Sequence, residues 1–195
     1  MAEIELPEIE KLGEIKNKAF SKRVALVTAI FAVILAVAAL GGNNATKEML
    51  LAQQQASDQW AFYQSKVMRE QLYRMQKMRL ELDLTERDAT MKPDVRKNYE
   101  SMIRQLGEEE TRYRNEKKEI EKESRKLEDE REVNRSRDPY FDFAEAVLQI
   151  SIVMASISIL AASRPIFYFS VAVASLGVIL TMNGFLLIFR LPFFH

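Results

Sequence analysis

The stretch VALVTAIFAVILAVAAL, residues 24–40, decides the architecture of this chain. Thr28 is the only polar residue of this stretch. The stretch is just long enough for a bilayer core, which takes about 20 helical residues. Basic residues precede it, as in a signal peptide, but the run is long for such a peptide and GGNNATKE after it is a poor cleavage site. We therefore predict an uncleaved membrane anchor.

Two further apolar runs lie near the end of the chain, FAEAVLQISIVMASISILAA at 143–162 and IFYFSVAVASLGVILTMNGFLLIF at 166–189. Only SRP separates them, so we expect an antiparallel helix pair. The sequence predicts an all-α protein with three transmembrane helices. The predicted segments are an amphipathic cytoplasmic segment at 1–22, transmembrane helices at 23–42, 140–163 and 165–190, a charged hairpin at 43–139, and a C-terminal tail at 191–195.

The charged segment between the first two spans is predicted to form a long antiparallel, coiled-coil-like helical hairpin that turns near residues 91–93. Pro93 suits the first turn of a new helix, and Pro139 is expected to break the returning arm at the membrane. Asn43 and Asn44 are expected to cap the first span. In the returning arm, apolar residues recur every seven positions, at Tyr99, Leu106, Tyr113, Ile120 and Leu127, and the second core position is polar, at Glu110, Lys117, Ser124 and Arg131.

The outgoing arm shows a different spacing. An eleven-residue repeat runs from Ala45 to Val67 and predicts a straight or slightly right-handed path. Farther out, a neighbouring face is expected to take over, made by Met68, Leu72, Met75 and Leu82. Within QASDQWAFYQSK, residues 55–66, Trp60 and Tyr63 belong to the predicted seam, whereas Phe62 projects about 200° from Trp60. We interpret Phe62 as a contact for another subunit or partner.

Small residues recur at spacings of three and four in all three spans. Because lipid gives no hydrophobic drive between helices, such stripes are where helices approach closely, within or between chains. The predicted helix-packing stripes are Ala25, Ala29, Ala32 and Ala36 in the first span, Ser151, Ala155 and Ser158 in the second, and Ser170, Ala174, Gly177, Thr181 and Gly184 in the third.

Polar groups in the last two spans are expected to meet at one depth. Glu145 and Gln149 lie near the start of the second span, and Asn183 lies near the end of the third. These residues have two interpretations: hydrogen bonds between helices, or a ring of polar groups at the mouth of a cation pore.

Composition argues against catalysis. The 195 residues include no cysteine and a single histidine at the last position, and the 28 basic residues balance the 28 acidic ones. Phosphate-binding loops, nucleophile motifs and metal-ligand pairs are absent from the sequence. We expect no enzyme activity, no catalytic residue, no cofactor, no metal and no nucleic-acid partner.

Basic residues before the first span, and Arg164 between the last two, predict a cytoplasmic N-terminus and an extracytoplasmic hairpin.

Several segments together resemble a family of bacterial membrane proteins, domain of unknown function 4337. These segments are GGNN after the anchor, QASDQWAFYQSK, the charged hairpin, FAEAVLQISIVMASISILAASRP and LTMNGFLLIF. The resemblance implies a three-span bacterial membrane protein and supplies no activity or catalytic residue. We expect the protein in the bacterial inner membrane.

Three functions stay open on the sequence. The leading hypothesis is a non-enzymatic, homo-oligomeric membrane protein that contacts lipids and itself, and acts as an envelope scaffold or sensor. The alternatives are a small oligomeric ion or mechanosensitive-type channel, and an accessory subunit of a larger membrane complex.

Overall fold

The computed structural model describes residues 6–87 and 89–189, with side chains from residue 16 onward. This part of the chain is all-helical, as predicted, and has no strand. Three helices follow in order: α1 (Leu6–Arg87), α2 (Pro93–Leu160) and α3 (Arg164–Leu186). Each contains a stretch long and apolar enough to cross a membrane by its length and composition. The predicted tail at 191–195 lies outside the described residues.

The break between α1 and α2 lies beside the predicted turn. Pro93 is the first residue of α2, where its missing N–H costs nothing because the first helical turn has no partner for it. Asp94 follows in the same turn and places a negative charge at the positive end of the helix dipole.

The other predicted breaks are wrong, because α1 and α2 run through them. Gly41 and Gly42 lie inside α1, so Asn43 and Asn44 do not cap a helix end. Residues 6–22 of the predicted amphipathic segment are the first turns of the same helix. Glycine destabilises a helix by only about 1 kcal/mol, and here both glycines are buried against α2.

Pro139 also lies within a helix, inside α2. A proline there removes one backbone hydrogen bond and costs about 3 kcal/mol. Tyr140 and Phe141, the two residues that follow it, are almost fully buried. Their packing offsets the lost bond, which is a tertiary effect that local sequence rules do not contain.

The chain divides into two compact units. One contains the residues up to Met49 and those from Glu132 onward, and we call it the apolar bundle. The other is Leu50–Arg131, which we call the hairpin unit. In the apolar bundle, Phe31, Ala38, Ala144, Leu148 and Ala174 form the core cluster.

In the hairpin unit α1 and α2 pack together with antiparallel pairing. Contacts join Trp60 to Glu128 and Lys77 to Glu110, so numbers rise along one helix as they fall along the other. Beside half-buried neighbours such as Trp60 and Val67, one set of buried and half-buried residues on both helices steps by four and three, which gives a repeat of seven. On α1 they are Ala52, Ala56, Gln59, Tyr63, Lys66, Glu70, Tyr73, Lys77, Leu80 and Leu84. On α2 they are Tyr99, Ile103, Leu106, Glu110, Tyr113, Lys117, Ile120, Ser124, Leu127 and Arg131.

This pattern corrects the description of the outgoing arm. The predicted stripe from Ala45 to Val67 is buried or half-buried throughout, and beyond Val67 the seam between the helices continues every seven residues through Glu70 and Lys77. The four apolar residues expected to take over the seam lie outside it and are 53–76 % exposed. The prediction failed because it followed apolar residues alone, whereas in this seam paired charged side chains occupy core positions.

Candidate functional site

A network of charges lies in the seam of the hairpin unit. Glu70, only 5 % exposed, accepts a hydrogen bond from Arg114 (Nε–Oε1 3.2 Å) and pairs with Lys117 (Nζ–Oε2 2.5 Å). Glu110, equally buried, accepts from Lys77 (2.8 Å) and from the same Arg114 (2.7 Å). Arg114 therefore joins a carboxylate of α1 to a carboxylate of α2.

Three carboxylates of this region, Glu70, Glu110 and Glu116, form what we call the carboxylate seam. Burial raises the pKa of Glu70, but the close ion pair with Lys117 and the hydrogen bond from Arg114 together outweigh it and leave the pKa below its usual value. The hydrogen bond from Lys77 lowers the pKa of Glu110 against an opposing effect of burial. For Glu116, the lowered pKa comes mainly from a hydrogen bond with Lys66. All three carboxylates are therefore ionised at neutral pH and act as fixed charges, not as proton donors.

Next to this network, Tyr113 is surrounded by cations. Its ring stacks on Tyr73 with centroids 5.5 Å apart, and the Lys66 ammonium lies 5.3 Å from the ring centre. Arg69 (3.3 Å) and Arg112 (3.0 Å) both donate to its hydroxyl. These hydrogen bonds, with that from Arg69 first, lower the pKa of Tyr113. These contacts hold the Tyr113 ring and hydroxyl within the seam.

The aromatic segment near the middle of α1 is divided between two sides. Trp60 donates from Nε1 to Glu128 Oε1 of α2 at 2.9 Å and meets Tyr63 edge-to-face at 5.3 Å. Phe62 is 52 % exposed, with the Lys66 ammonium 4.8 Å from its ring centre. Trp60 and Tyr63 thus lie at the seam and Phe62 lies at the surface.

The three polar residues expected to meet in the apolar bundle have different surroundings. Glu145 is half-buried, and its Oε1 lies 3.7 Å from where a Cβ on Gly42 would be. Gln149 is exposed. Asn183 is buried and bonded to the backbone of Phe189, with its Nδ2 donating to the carbonyl (2.8 Å) and its Oδ1 accepting from the N–H (2.9 Å).

Those bonds make Asn183 a clamp on the end of α3. Leu187 adopts a left-handed conformation (φ 48°) and its N–H donates to the Asn183 carbonyl, which closes the last turn. Tyr140 of α2 also donates to the Phe189 carbonyl, at 2.8 Å. Asn183 therefore serves the helix end, and its amide is not directed at Gln149.

The predicted small-residue stripes differ in burial. Those of α2 and α3 are buried; they comprise Ser151, Ala155, Ser158, Ser170, Ala174, Gly177, Thr181 and Gly184. The stripe of α1 is exposed; it comprises Ala25, Ala29, Ala32 and Ala36. Within one chain α1 instead turns Val24, Phe31 and Ala38 inward. The run is apolar on every side, so alanine spacing did not distinguish its faces.

One buried residue that the sequence did not single out joins all three helices of the bundle. Phe141 lies in a socket of glycines, because a Cβ on Gly41 would come within 2.5 Å of its ring and one on Gly184 within 2.9 Å. Its ring meets Phe185 edge-to-face at 4.9 Å. The seven-residue repeat of the returning arm indicates this position, since Phe141 lies two heptads beyond Leu127.

Comparison with known proteins shows a family and adds no activity. Among the described residues, no group of three or more His, Asp or Glu is arranged to hold a metal ion. No curated protein and no solved structure matches the chain. The family model of a domain of unknown function, DUF4337, matches residues 20–187, which is most of the chain. The chain therefore belongs to the DUF4337 family.

Proposed function

We propose that this protein is a non-enzymatic membrane scaffold that assembles with copies of itself through the outer face of α1. The observation that carries the proposal is an exposed apolar stripe on the hairpin unit. Its members are Met68, Leu72, Met75 and Leu82, at 76, 53, 63 and 57 % exposure, and we call it the outer stripe. Contiguous apolar surface on a highly charged helix is typical of an interaction site.

The position of the outer stripe favours a partner outside the chain. Leu72 follows the buried Glu70 by two residues, which places it about 200° around the helix from the seam. An open groove along this face is lined by Met68, Leu72 and Met75 with Ser65, Arg69 and Gln71. The outer stripe therefore lies opposite the surface that α2 covers.

A second copy of the chain fits this face. The outer stripe steps by four, three and seven, the spacing of a heptad seam, so an identical stripe matches its period. Copies inserted in one membrane share their orientation, so equally numbered residues of two copies lie at the same level. A symmetric contact then brings each stripe against itself.

The apolar bundle offers a second contact for the same assembly. The alanine stripe of α1 faces away from the core, and small residues at this spacing let membrane helices approach closely. We propose that Ala25, Ala29, Ala32 and Ala36 pack between subunits. We further propose a multi-pass protein of the bacterial inner membrane, with the basic N-terminal side in the cytoplasm and the hairpin unit outside.

The hairpin chemistry supports a structural role over catalysis. The shifted carboxylates of this unit are held in their ionised form by paired cations, which is unlike the raised pKa of a general acid. A channel lined by Glu145 and Asn183 is less well supported, because the Asn183 amide is bonded to Phe189.

The test is the mass of the full-length protein in detergent and in lipid nanodiscs. We expect an oligomer for the wild type and dissociation for the variant Met68→Glu/Leu72→Glu/Met75→Glu. The control is Val95→Glu/Met102→Glu, which adds two charges at exposed apolar positions of α2, against three in the outer-stripe variant. A monomeric wild type, or an outer-stripe variant that keeps the wild-type mass, would overturn the proposal. Dissociation by Phe62→Ala instead would assign the contact to that ring.

A further inference from the structure

The starts of α1's apolar run and of α3 meet at one end of the bundle. Phe20 and Phe167 are in edge-to-face contact there, with ring centroids 5.9 Å apart. Beside them lies a partly open cavity of about 260 Å³ whose charged lining residues are Lys16, Arg23 and Arg164. Within the described part of the chain, no carboxylate lines this cavity. Three cations from two helices thus converge on one space.

The cavity lies at the border between polar and apolar sequence. Arg23 immediately precedes the apolar run of α1, and Arg164 opens α3 two residues before its own apolar run begins. In a membrane-inserted bundle both residues would therefore lie at the same lipid–water interface. Tyr168, also in the lining and largely exposed, has the amphipathic ring that is enriched at this level.

The dimensions and chemistry of the cavity restrict the ligand. Pockets for drug-sized molecules measure about 300–1,000 Å³, so this smaller cavity suits a compact group. Guanidinium and ammonium groups form short, charge-assisted hydrogen bonds with phosphate oxygens. The aromatic walls and neighbouring apolar helices suit a phosphate that carries acyl chains better than a free ion.

We propose that Lys16, Arg23 and Arg164 bind the phosphate of one anionic phospholipid, with its acyl chains along α1 and α3. The site holds a specific lipid at the end of the bundle where these two helices start. It is independent of self-assembly, because its lining lies on one chain and includes no residue of the outer stripe or of the alanine stripe.

Lipid binding to the full-length protein in a non-ionic detergent tests the proposal by native mass spectrometry. The probes are phosphatidylglycerol and phosphatidylcholine with identical acyl chains, and inorganic phosphate alone. We expect the wild type to retain phosphatidylglycerol in preference to phosphatidylcholine. The variant Lys16→Gln/Arg23→Gln/Arg164→Gln should bind phosphatidylglycerol roughly 100-fold more weakly, since each interfacial basic residue contributes to anionic lipid binding.

The matched control is Lys18→Gln/Lys22→Gln/Lys47→Gln, which removes the same charge from positions outside the cavity. It should keep most of the affinity. The single variant Arg164→Gln should lose an intermediate amount of affinity for phosphatidylglycerol. It replaces the triple variant in the test if circular dichroism shows that the triple variant has lost helix content. Equal binding of the two lipids, equal losses in pocket and control variants, or saturation of the site by inorganic phosphate would each overturn the proposal.

Discussion

Replacing Glu70 by glutamine removes the charge that holds two cations between the helices of the hairpin unit. Removing one partner of a buried ion pair costs about 3–5 kcal/mol. The Glu70 side chain is 7 % exposed, but those of Lys117 and Arg114 are 23 % and 46 % exposed and regain water. We therefore expect Glu70→Gln to destabilise the hairpin unit by about 2–3 kcal/mol, less than a fully buried pair.

Hydrogen exchange of the full-length protein in detergent measures this loss locally. Backbone amides near Glu70 and Arg114 should exchange roughly 30–150-fold faster, since each 1.4 kcal/mol corresponds to about tenfold. The control is Glu121→Gln, whose pair with Arg125 lies on the surface, with side chains 35 % and 66 % exposed. That substitution should change exchange by no more than about twofold.

Two results would refute this reasoning. Equal exchange in Glu70→Gln and Glu121→Gln would mean that water, and not the paired cations, supports the Glu70 charge. A double variant, Glu70→Leu/Lys117→Leu, removes both members of a pair and leaves Arg114 with Glu110. It should be at least as stable as the wild type, because apolar packing replaces a desolvated pair. If it were as unstable as Glu70→Gln, the loss would come from altered shape and not from unpaired charge.

The remaining predictions concern glycine packing, acid and the end of α3. Gly41→Ala overfills the Phe141 socket and should cost about 1–3 kcal/mol in thermal unfolding, whereas Gly107→Ala, with its nearest neighbour at 3.7 Å, should stabilise by about 0.5–1 kcal/mol. A lower melting temperature for Gly107→Ala would contradict this. The carboxylate seam has lowered pKa values, so its stabilisation is complete above the unfolded pKa and is lost as pH falls through the folded values. Exchange protection of the hairpin unit should be level from about pH 6 to 8 and fall below about pH 4.5, and Glu70→Gln should weaken that fall. Asn183→Ala removes two hydrogen bonds to Phe189, worth about 2 kcal/mol together, and should speed exchange of the Phe189 amide. Unchanged exchange of that amide would contradict the clamp.

The sequence by itself determined the helical class, the three apolar runs, the turn before Pro93 and the seven-residue repeat of the returning arm. These features rest on local quantities, namely composition, run length and the period of apolar residues. The opposite placement of Trp60 and Phe62 was predictable for the same reason, because residues two positions apart on a helix point in nearly opposite directions.

The tertiary structure decided what local quantities cannot contain. Helix continuity at Gly41 and Pro139 depends on the burial of Phe141 and its neighbours, which offsets a local cost. The inward face of α1 in the bundle depends on where α2 and α3 lie, since an entirely apolar run fits either way. The charges of the seam occupy core positions only because Glu70 meets cations some 44 residues away in sequence. Pairing across such distances is set by the register of the two helices, and no window of sequence encodes it.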